Sequence, residues 1–301
     1  MTEIRITPED RLSETLKAVT PGTRIFLAKG VYREKIELYI PDIELIGENP
    51  DETVIIFDDF AEKIDENRHK YVTFRTYTMA VLAPRVTLKN LTVENDARTP
   101  EMKGQEVALT VYADEFLAVN CRFVSTQDTL FCGPLPPDLI KRYDGFLKDE
   151  LRTGERQRHI FRNCYIAGTV DFIFGSGDAL FENCDIESLF EMRGHGYVAA
   201  PSHASDQKIG FVFDRCRIFG GKDVPKGSVY LARPWREYGK CSFIDCEYGD
   251  HIDPEGFNKW NDTERDKTAR FAEYPAKPES RVAWSRQLSE SEKDNLLNHF
   301  R

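Results

Sequence analysis

The sequence predicts an all-β solenoid, in which short strands form coils that stack along one axis. From residue 23 onward, short β-rich runs alternate with Gly, Pro, Asn and Asp. Helical patterns occur only near the two ends, which argues against a doubly wound sheet or a (β/α) barrel. A strand followed by a polar corner residue recurs along the chain with insertions of variable length. Such a repeat is typical of coils that stack and whose loops leave one side.

Size and composition indicate one soluble domain over residues 1–301. The 301 residues would suffice for two ordinary domains, but elongated β architectures use this length as one unit. Hydrophobic residues make up 41%, and no apolar run is long enough to cross a bilayer, so we expect no membrane partner. The net charge is −10 with dispersed lysines and arginines, which makes nucleic acid a poor partner. A polyanionic substrate would need basic groups gathered in its cleft. We expect a monomer.

The amino terminus and the cysteines bear on location and metal binding. Residues 1–10 contain no apolar h-region and no small-residue cleavage site, which predicts a cytoplasmic protein, or a secreted one if a leader has been removed. Seven cysteines are an odd number, which favours reduced thiols over a disulfide framework. Neither Cys-x-x-Cys nor His-Glu-x-x-His occurs, so we predict no metal site and no cofactor.

Residues 7–19 predict a short helix ahead of the first coil. Thr7 would be the N-cap, followed by proline at the first helical position and by acids in the first turn. Leu12, Leu16 and Val19 fall on one face of this helix. A helix at this place would cover the open end of the β-structure.

The repeat unit supplies the corners and part of the core. In each unit a strand ends at a polar corner residue, and successive corners are 20 to 43 residues apart. The corner residues are Asn90, Asn120, Asn163, Asn183, Arg215 and Asp245. An apolar residue or a cysteine follows each corner. The cysteines at this position are Cys121, Cys164, Cys184, Cys216 and Cys246. We interpret them as inert thiols that stack in the core.

Two further segments depart from the repeat. Residues 133–158 are too long for a tight turn and carry mixed charge, which predicts a loop excursion. Two interpretations stay open for it, a solvated surface loop and a wall of a substrate cleft. Residues 289–300 predict a C-terminal helix that begins with the capping box Ser289-x-x-Glu292.

Asp171 stands out because it interrupts an apolar run, 170–174, that predicts a buried strand. A buried carboxylate must be paired or take up a proton. Asp128 follows its corner asparagine by eight residues, as Asp171 does. In adjacent coils the two would lie one above the other, about 5 Å apart. Glu191 and Asp223 share the offset, but they lie in Gly- and charge-rich loops, whereas the two aspartates have apolar and aromatic neighbours.

Two carboxylates this close cannot both ionise freely. One would have a raised pKa and serve as an acid, and the other would need a cation to stay ionised as nucleophile or base. Arg233, in an Arg-Pro-Trp sequence, is the candidate cation, because a guanidinium can hold a carboxylate through two bonds. Trp235 offers a flat apolar surface of the kind that stacks on sugar rings. An alternative stays open, that both aspartates only satisfy backbone N–H groups at coil corners.

Five motifs, in order along the chain, resemble those of bacterial-type pectin methylesterases (pectinesterases). They are Gly30-Val-Tyr-Arg-Glu34, Gly104-Gln-Glu-Val-Ala-Leu109, Gln127-Asp-Thr-Leu-Phe131, Gly168-Thr-Val-Asp-Phe-Ile-Phe-Gly175 and Leu231-Ala-Arg-Pro-Trp235. The resemblance extends from about residue 30 to residue 284. It implies a right-handed parallel β-helix that hydrolyses methyl esters of galacturonan or oligogalacturonide without a metal.

The resemblance also implies a role for individual residues. Asp171 matches the family's nucleophile, and Asp128 matches its general acid/base. Gln105 and Gln127 match the glutamines assigned to stabilising the oxyanion, and Arg233 matches the arginine that holds the nucleophile. The aromatic positions implied to line the sugar cleft are Phe131, Phe174, Trp235 and Phe257.

Other classes of function compete with a carbohydrate esterase. An acyl thioesterase on the same scaffold would use the same acid pair and oxyanion donors. A non-catalytic glycan-binding β-helix would not need the two aspartate motifs. A calcium-dependent lyase would need an acidic cluster for the ion, and the sequence shows none beside Asp171.

Overall fold

The protein folds as a right-handed parallel β-helix, which confirms the predicted fold class. The computed structural model describes residues 2–97, 104–142 and 155–301. Three sheets run along the helix, and neighbouring strands within each sheet are parallel. Each full coil contributes one strand to each sheet.

The described strands divide among the three sheets as follows. The eleven-stranded sheet contains Thr2–Ile6, Thr23–Leu27, Ile43–Gly47, Val86–Lys89, Phe116–Val119, Arg158–Arg162, Asp178–Glu182, Phe211–Asp214, Lys240–Ile244, Arg270–Tyr274 and Arg286–Gln287. The eight-stranded sheet contains Gly30–Tyr32, Thr53–Phe57, Thr92–Asn95, Arg122–Val124, Tyr165–Gly168, Asp185–Ser188, Arg217–Gly220 and Glu247–Tyr248. The seven-stranded sheet contains Ile36–Leu38, Met79–Val81, Leu109–Val111, Leu130–Cys132, Ile173–Gly175, Gly196–Pro201 and Val229–Ala232.

The predicted corner residues join the eleven-stranded sheet to the eight-stranded sheet. All six have a left-handed backbone, with φ between 50° and 54°. Asparagine and aspartate tolerate this conformation because their short polar side chains bond locally. Some of the corners also bond to one another along the stack, as when the Asn120 side-chain amide donates to Asn90 Oδ1 at 2.8 Å.

Stacked side chains fill the interior of the coils. Phe161, Phe181, Phe213 and Phe243 form a ladder with ring centroids 4.6 to 4.9 Å apart and planes within 12° of parallel. The seven cysteines are free thiols, and the five at the repeat position all belong to or pack against the main core. Repetition along the helix therefore converts one sequence position into a continuous column of contacts.

The N-terminal helix spans Leu12–Ala18 and is shorter than predicted over 7–19. Thr7 is not its N-cap, so that assignment was wrong. Thr7 instead forms a turn with Asp10, and its amide donates to the Asp10 carboxylate at 2.8 Å. The amides of Leu12 and Ser13 donate to the Glu34 carboxylate at 2.9 and 3.2 Å. A carboxylate from the following coil thus satisfies the free N–H groups at this helix start.

The C-terminal helix spans Glu290–Asn298, within the predicted range 289–300. Ser289 is its N-cap, and the capping box with Glu292 is formed in both directions. Leu296 packs on the outer face of the eleven-stranded sheet against Leu180, Val212 and Ile244. The remaining described helices are Pro137–Arg142 and the 3₁₀ turns Thr73–Arg75 and Arg265–Lys267. Among the described residues, no helix combines the length and the apolar character that crossing a membrane requires.

Candidate active site

A cleft of about 470 Å³ lies beside the seven-stranded sheet. Asp128 and Asp171 both line it, each two residues before a strand of that sheet. The strands pair with Leu130 opposite Ile173, so the two aspartates occupy equivalent positions on adjacent coils. The Asp128 amide also donates to the Val170 carbonyl at 3.0 Å. The structure therefore brings together the pair that the repeat predicts.

Arg233 holds Asp171 through both carboxylate oxygens. Its Nε donates to Oδ1 and its Nη2 donates to Oδ2, each at 2.7 Å. The guanidinium lies between two aromatic rings, 3.7 Å from the centroid of Tyr197 and 4.1 Å from that of Trp260. Such a sandwich fixes the planar group and limits its hydration. Two charge-assisted bonds in a buried place favour the carboxylate form of Asp171.

The two aspartates differ in charge environment although both are buried, with 8% and 7% of Asp128 and Asp171 exposed. Burial and the negative charge of Asp171 raise the pKa of Asp128 well above its usual range. Burial also raises the pKa of Asp171, and the bonds and the charge of Arg233 reduce that rise without cancelling it. Of the two carboxyl groups, Asp128 is thus the one more disposed to keep a proton.

Both aspartates have a left-handed backbone, with φ of 64° at Asp128 and 51° at Asp171. This conformation is uncommon for residues other than glycine and is often found at functional sites. Gly175, at the end of the strand Ile173–Gly175 that follows Asp171, has φ 128°. A Cβ at this position would lie 2.0 Å from the Cys132 carbonyl oxygen. The glycine that closes the motif is therefore required by the close approach of the neighbouring coil.

Gln105 and Gln127 both line the cleft. The backbone joins their segments, because the Glu106 amide donates to the Gln127 carbonyl at 3.0 Å. The Gln127 side-chain oxygen accepts a bond from Arg193 Nη2 at 3.0 Å. Arg193 is a site residue that the sequence does not predict, because its loop carries no recognised motif.

The four predicted aromatic residues divide into two pairs. Trp235 and Phe174 lie at the cleft, Phe174 with only 2% of its surface exposed, and their contact with sugar stays a prediction. Phe131 does not reach the cleft and this prediction was wrong: it is fully buried beneath Phe174, with ring centroids 4.9 Å apart. The prediction for Phe257 was also wrong. It is 1% exposed and packs inside the coils in the main core.

Several cleft residues were not predicted from the sequence. Phe74 and Trp260 add aromatic surface, and Arg142, Arg236 and Arg265 add positive charge. The basic lining contrasts with the net charge of −10 of the chain. It provides the local cations that an anionic polymer would require.

Part of the loop excursion contributes to the cleft. Leu139 and Arg142, in and at the end of the short helix Pro137–Arg142, both line it. Asp138 pairs through two bonds with Arg236, at 3.0 and 2.6 Å, and so ties this helix to the Arg-Pro-Trp segment. Residues 133–142 therefore form part of the cleft wall, while residues 143–154 of the excursion lie outside the described part of the chain.

Metal-ligating side chains are not gathered at this site. Among the residues that the structure describes, no group of three or more His, Cys, Asp and Glu side chains is placed to hold a metal ion. The chemistry of the cleft is instead that of an acid pair, a guanidinium and two side-chain amides.

Comparison with known proteins identifies the family. A family model described as pectinesterase matches residues 7–134 and 143–299. Pectinesterase 31 of Arabidopsis thaliana is 32% identical over 305 residues, covering 97% of this chain and 86% of that protein. Pectin methylesterase PemA from Erwinia chrysanthemi superposes with a TM-score of 0.80 at 24% identity, covering 98% of this chain and 94% of that one. A pectin methylesterase in complex with hexasaccharide VII gives a TM-score of 0.76 at 25% identity, covering 95% and 90%.

The family match covers nearly the whole chain, including the segments that contain Asp128, Asp171 and Arg233. It agrees with the resemblance drawn from the five motifs. The chain therefore belongs to the pectinesterase family of carboxylic ester hydrolases.

Proposed function

We propose that the protein is a pectin methylesterase that hydrolyses methyl esters of galacturonan, with Asp171 as nucleophile and Asp128 as general acid and base. The single observation that carries this proposal is the contrast within the acid pair. Asp171 is held as a carboxylate by two 2.7 Å bonds from Arg233, whereas its buried neighbour Asp128 has no such cation pair among the described contacts. A nucleophile and a proton donor are thus provided side by side.

The proposed reaction begins when an Asp171 oxygen attacks the carbonyl carbon of the methyl ester. The oxyanion that forms is met by the side-chain amides of Gln105 and Gln127, a contribution worth about 2.7–4 kcal/mol for a single donor in comparable sites. The bond to methoxide then breaks, and protonated Asp128 gives its proton to the leaving group. Methanol departs, and the substrate remains joined to Asp171 as an acyl-enzyme.

The second half of the proposed reaction returns the enzyme to its starting state. Asp128, now a carboxylate, takes a proton from a water molecule, and the resulting hydroxide attacks the acyl-enzyme. The bond to Asp171 breaks, and the galacturonic acid group that forms loses its proton to solvent and leaves as a carboxylate. Arg233 holds the released Asp171 carboxylate in place for the next cycle. No step requires a metal ion.

The lining of the cleft supports a methyl-esterified galacturonan or oligogalacturonide as substrate. Trp235 and Trp260 offer flat surfaces suited to the apolar faces of sugar rings. Arg142 and Arg265 suit the free carboxylates that accompany methyl esters in such chains. The similar pectin methylesterase bound to hexasaccharide VII supports a substrate of several sugar units.

The test is methanol release from methyl-esterified pectin and from short methylated oligogalacturonides, with an acyl-CoA as the competing substrate. We expect methanol from the esters, no thiol release from the thioester, and no loss of activity on addition of a chelator. Thiol release without methanol would favour a thioesterase. A product that absorbs in the ultraviolet, typical of an unsaturated sugar, would indicate a lyase. Either outcome would overturn the proposal, as would the absence of any reaction.

A further inference from the structure

A loop next to the acid pair carries an ion pair to which the proposed mechanism gives no role. The loop, 189–195, makes a turn at residues 192–193. Phe190 and Met192 are 51% and 64% exposed, whereas the Glu191 side chain is 3% exposed. Glu191 therefore points toward the protein, and Arg193 bonds to Gln127 at the edge of the cleft.

Glu191 holds Arg193 in one orientation. Arg193 Nε donates to Glu191 Oε1 at 2.8 Å, and Nη2 donates to Oε2 at 3.0 Å. The backbone amide of Arg193 adds a third bond to Oε1 at 2.8 Å. Burial raises the pKa of Glu191, but the bonds from Arg193 outweigh this effect and the net shift is downward. The carboxylate is thus a fixed anchor for a side chain that is itself 44% exposed.

The guanidinium of Arg193 sets the orientation of the Gln127 side-chain amide. Arg193 Nη2 lies 3.0 Å from Gln127 Oε1. Arginine has no acceptor, so only the amide oxygen can face it, and the NH₂ group must point away. The NH₂ side of this amide faces Asp128. Burial and the charge of Asp171 raise the pKa of Asp128, and a hydrogen bond from Gln127 opposes that rise. The donors therefore face the acid pair.

We infer that Glu191 and Arg193 form a positioning pair that fixes the Gln127 amide with its N–H donors toward the reacting ester. This inference rests on the proposed function, since an oxyanion donor matters only if an oxyanion forms. Without Arg193, the amide can turn over and present its oxygen, which would repel the developing negative charge. Arg193 touches no reacting atom in this account: its charge opposes the rise in pKa of Asp128 and Asp171, and its hydrogen bond toward the site is to Gln127.

The kinetic test is a double-mutant cycle with Arg193→Ala and Gln127→Ala. We expect Arg193→Ala to lower kcat about tenfold to a hundredfold, less than the roughly 10²–10³ of a lost oxyanion donor, with little change in KM. In the Gln127→Ala background, adding Arg193→Ala should change kcat no further, because the two residues act as one unit. Effects that multiply, or a change in KM alone, would overturn the inference and indicate direct contact with substrate.

A matched control and a measurement independent of activity complete the test. Arg217 makes an equally two-bonded pair with Asp185, at 2.9 and 2.9 Å, on the exposed eight-stranded sheet. Arg217→Ala should leave kcat unchanged. The side-chain amide signals of Gln127 in nitrogen-15 spectra, identified by their loss in Gln127→Ala, should shift in Arg193→Ala and stay in place in Arg217→Ala.

The two measurements separate the inference from the proposed function. Unshifted Gln127 signals in Arg193→Ala would overturn the inference even if methanol release by the wild type is normal. Shifted signals in a wild type that releases no methanol would support the fixed amide and reject the proposed function. Arg193→Lys keeps one donor toward Gln127 but loses the forked bond to Glu191, so we expect it to restore only part of kcat.

Discussion

Two kinds of corner in this β-helix use the same backbone conformation for different purposes. The corners between the eleven- and eight-stranded sheets, such as Asn163 and Asp245, have φ of 54° and 50°. The corners before the seven-stranded sheet that carry Asp128 and Asp171 have φ of 64° and 51°. Asp245 is exposed to solvent, whereas Asp128 and Asp171 are buried at the floor of the cleft.

The difference shows that burial and partners, not backbone shape, create the candidate chemistry. At the first kind of corner, the side chain only makes a left-handed residue tolerable. At the second kind, a cleft wall excludes water, Arg233 holds one carboxylate, and the other has a raised pKa. A solenoid repeat therefore supplies equivalent positions, and the loops around one of them determine what it can do.

A large loss of activity is expected when Asp128 can no longer carry a proton. Asp128→Asn keeps the shape and the left-handed corner but cannot transfer a proton, so we expect kcat for methanol release to fall about 10²- to 10⁴-fold. The matched control is Asp223→Asn, an exposed aspartate with φ 66°, which should leave kcat unchanged. Equal losses in both variants would show that the left-handed corner, not the buried acid, matters.

The same variant makes a prediction about stability and pH. The pKa of Asp128 is raised above its usual 3.8 in the folded state, so the folded chain binds more protons than the unfolded chain above that pH. Wild-type stability attributable to this group therefore falls as pH rises from about 4 toward the raised pKa. Thermal unfolding should show Asp128→Asn to be the more stable protein at pH 7, with an advantage that shrinks as the pH is lowered to 4. An advantage that grows at low pH would contradict this sign.

A smaller effect is expected from weakening the hold on Asp171. Arg233→Lys retains the charge but offers only a point donor, so one of two charge-assisted bonds is lost. Such a bond contributes about 1.5–3 kcal/mol, which predicts a fall in kcat of about tenfold to a hundredfold. Arg217→Lys loses one of the two bonds to the exposed Asp185 in the same way and should leave kcat unchanged. If Arg233→Lys matched its control, the guanidinium would not be what keeps Asp171 ionised.

The smallest effect on activity is expected at the structural corners. Asn163→Ala places an alanine at φ 54°, which should lower the free energy of unfolding by about 1–2 kcal/mol without changing kcat. Asn163→Gly adopts this φ without strain and should recover most of the loss. Urea unfolding of both variants measures the free energy of unfolding, and methanol release measures kcat. A fall in kcat at equal folding would show that the two kinds of corner are not separable.

The sequence predicted the parts of the fold that repeat. Corner residues, the cysteine column and the stacking of Asp128 on Asp171 all follow from one repeat unit, because coils of a solenoid are in register. Counting eight residues from the corner residue does not place Glu191 above Asp171. Strand pairing places Ile173 opposite Ala199, so the position opposite Asp171 is Tyr197, six residues beyond Glu191. The extra residues form a loop, and loop length is not set by the repeat.

Contacts between distant segments explain the remaining errors. The N-terminal helix is capped by Glu34, which local signals around Thr7 cannot reveal. Phe257 and Trp235 are both aromatic residues in the same stretch of chain, yet one faces the interior and the other the cleft. Glu191 and Arg193 interact across a turn, and nothing in the local sequence pattern points to their contact with Gln127.

The central claim is that Asp171 is the nucleophile, and a pair of isosteric variants tests it most directly. Asp171→Asn and Asp245→Asn change the same group at corners with φ of 51° and 50°. With folding verified by thermal unfolding, kcat for methanol release from methyl-esterified pectin should fall by at least about 10³-fold in Asp171→Asn and stay at the wild-type value in Asp245→Asn. An Asp171→Asn protein that folds normally and keeps most of its activity would contradict the account.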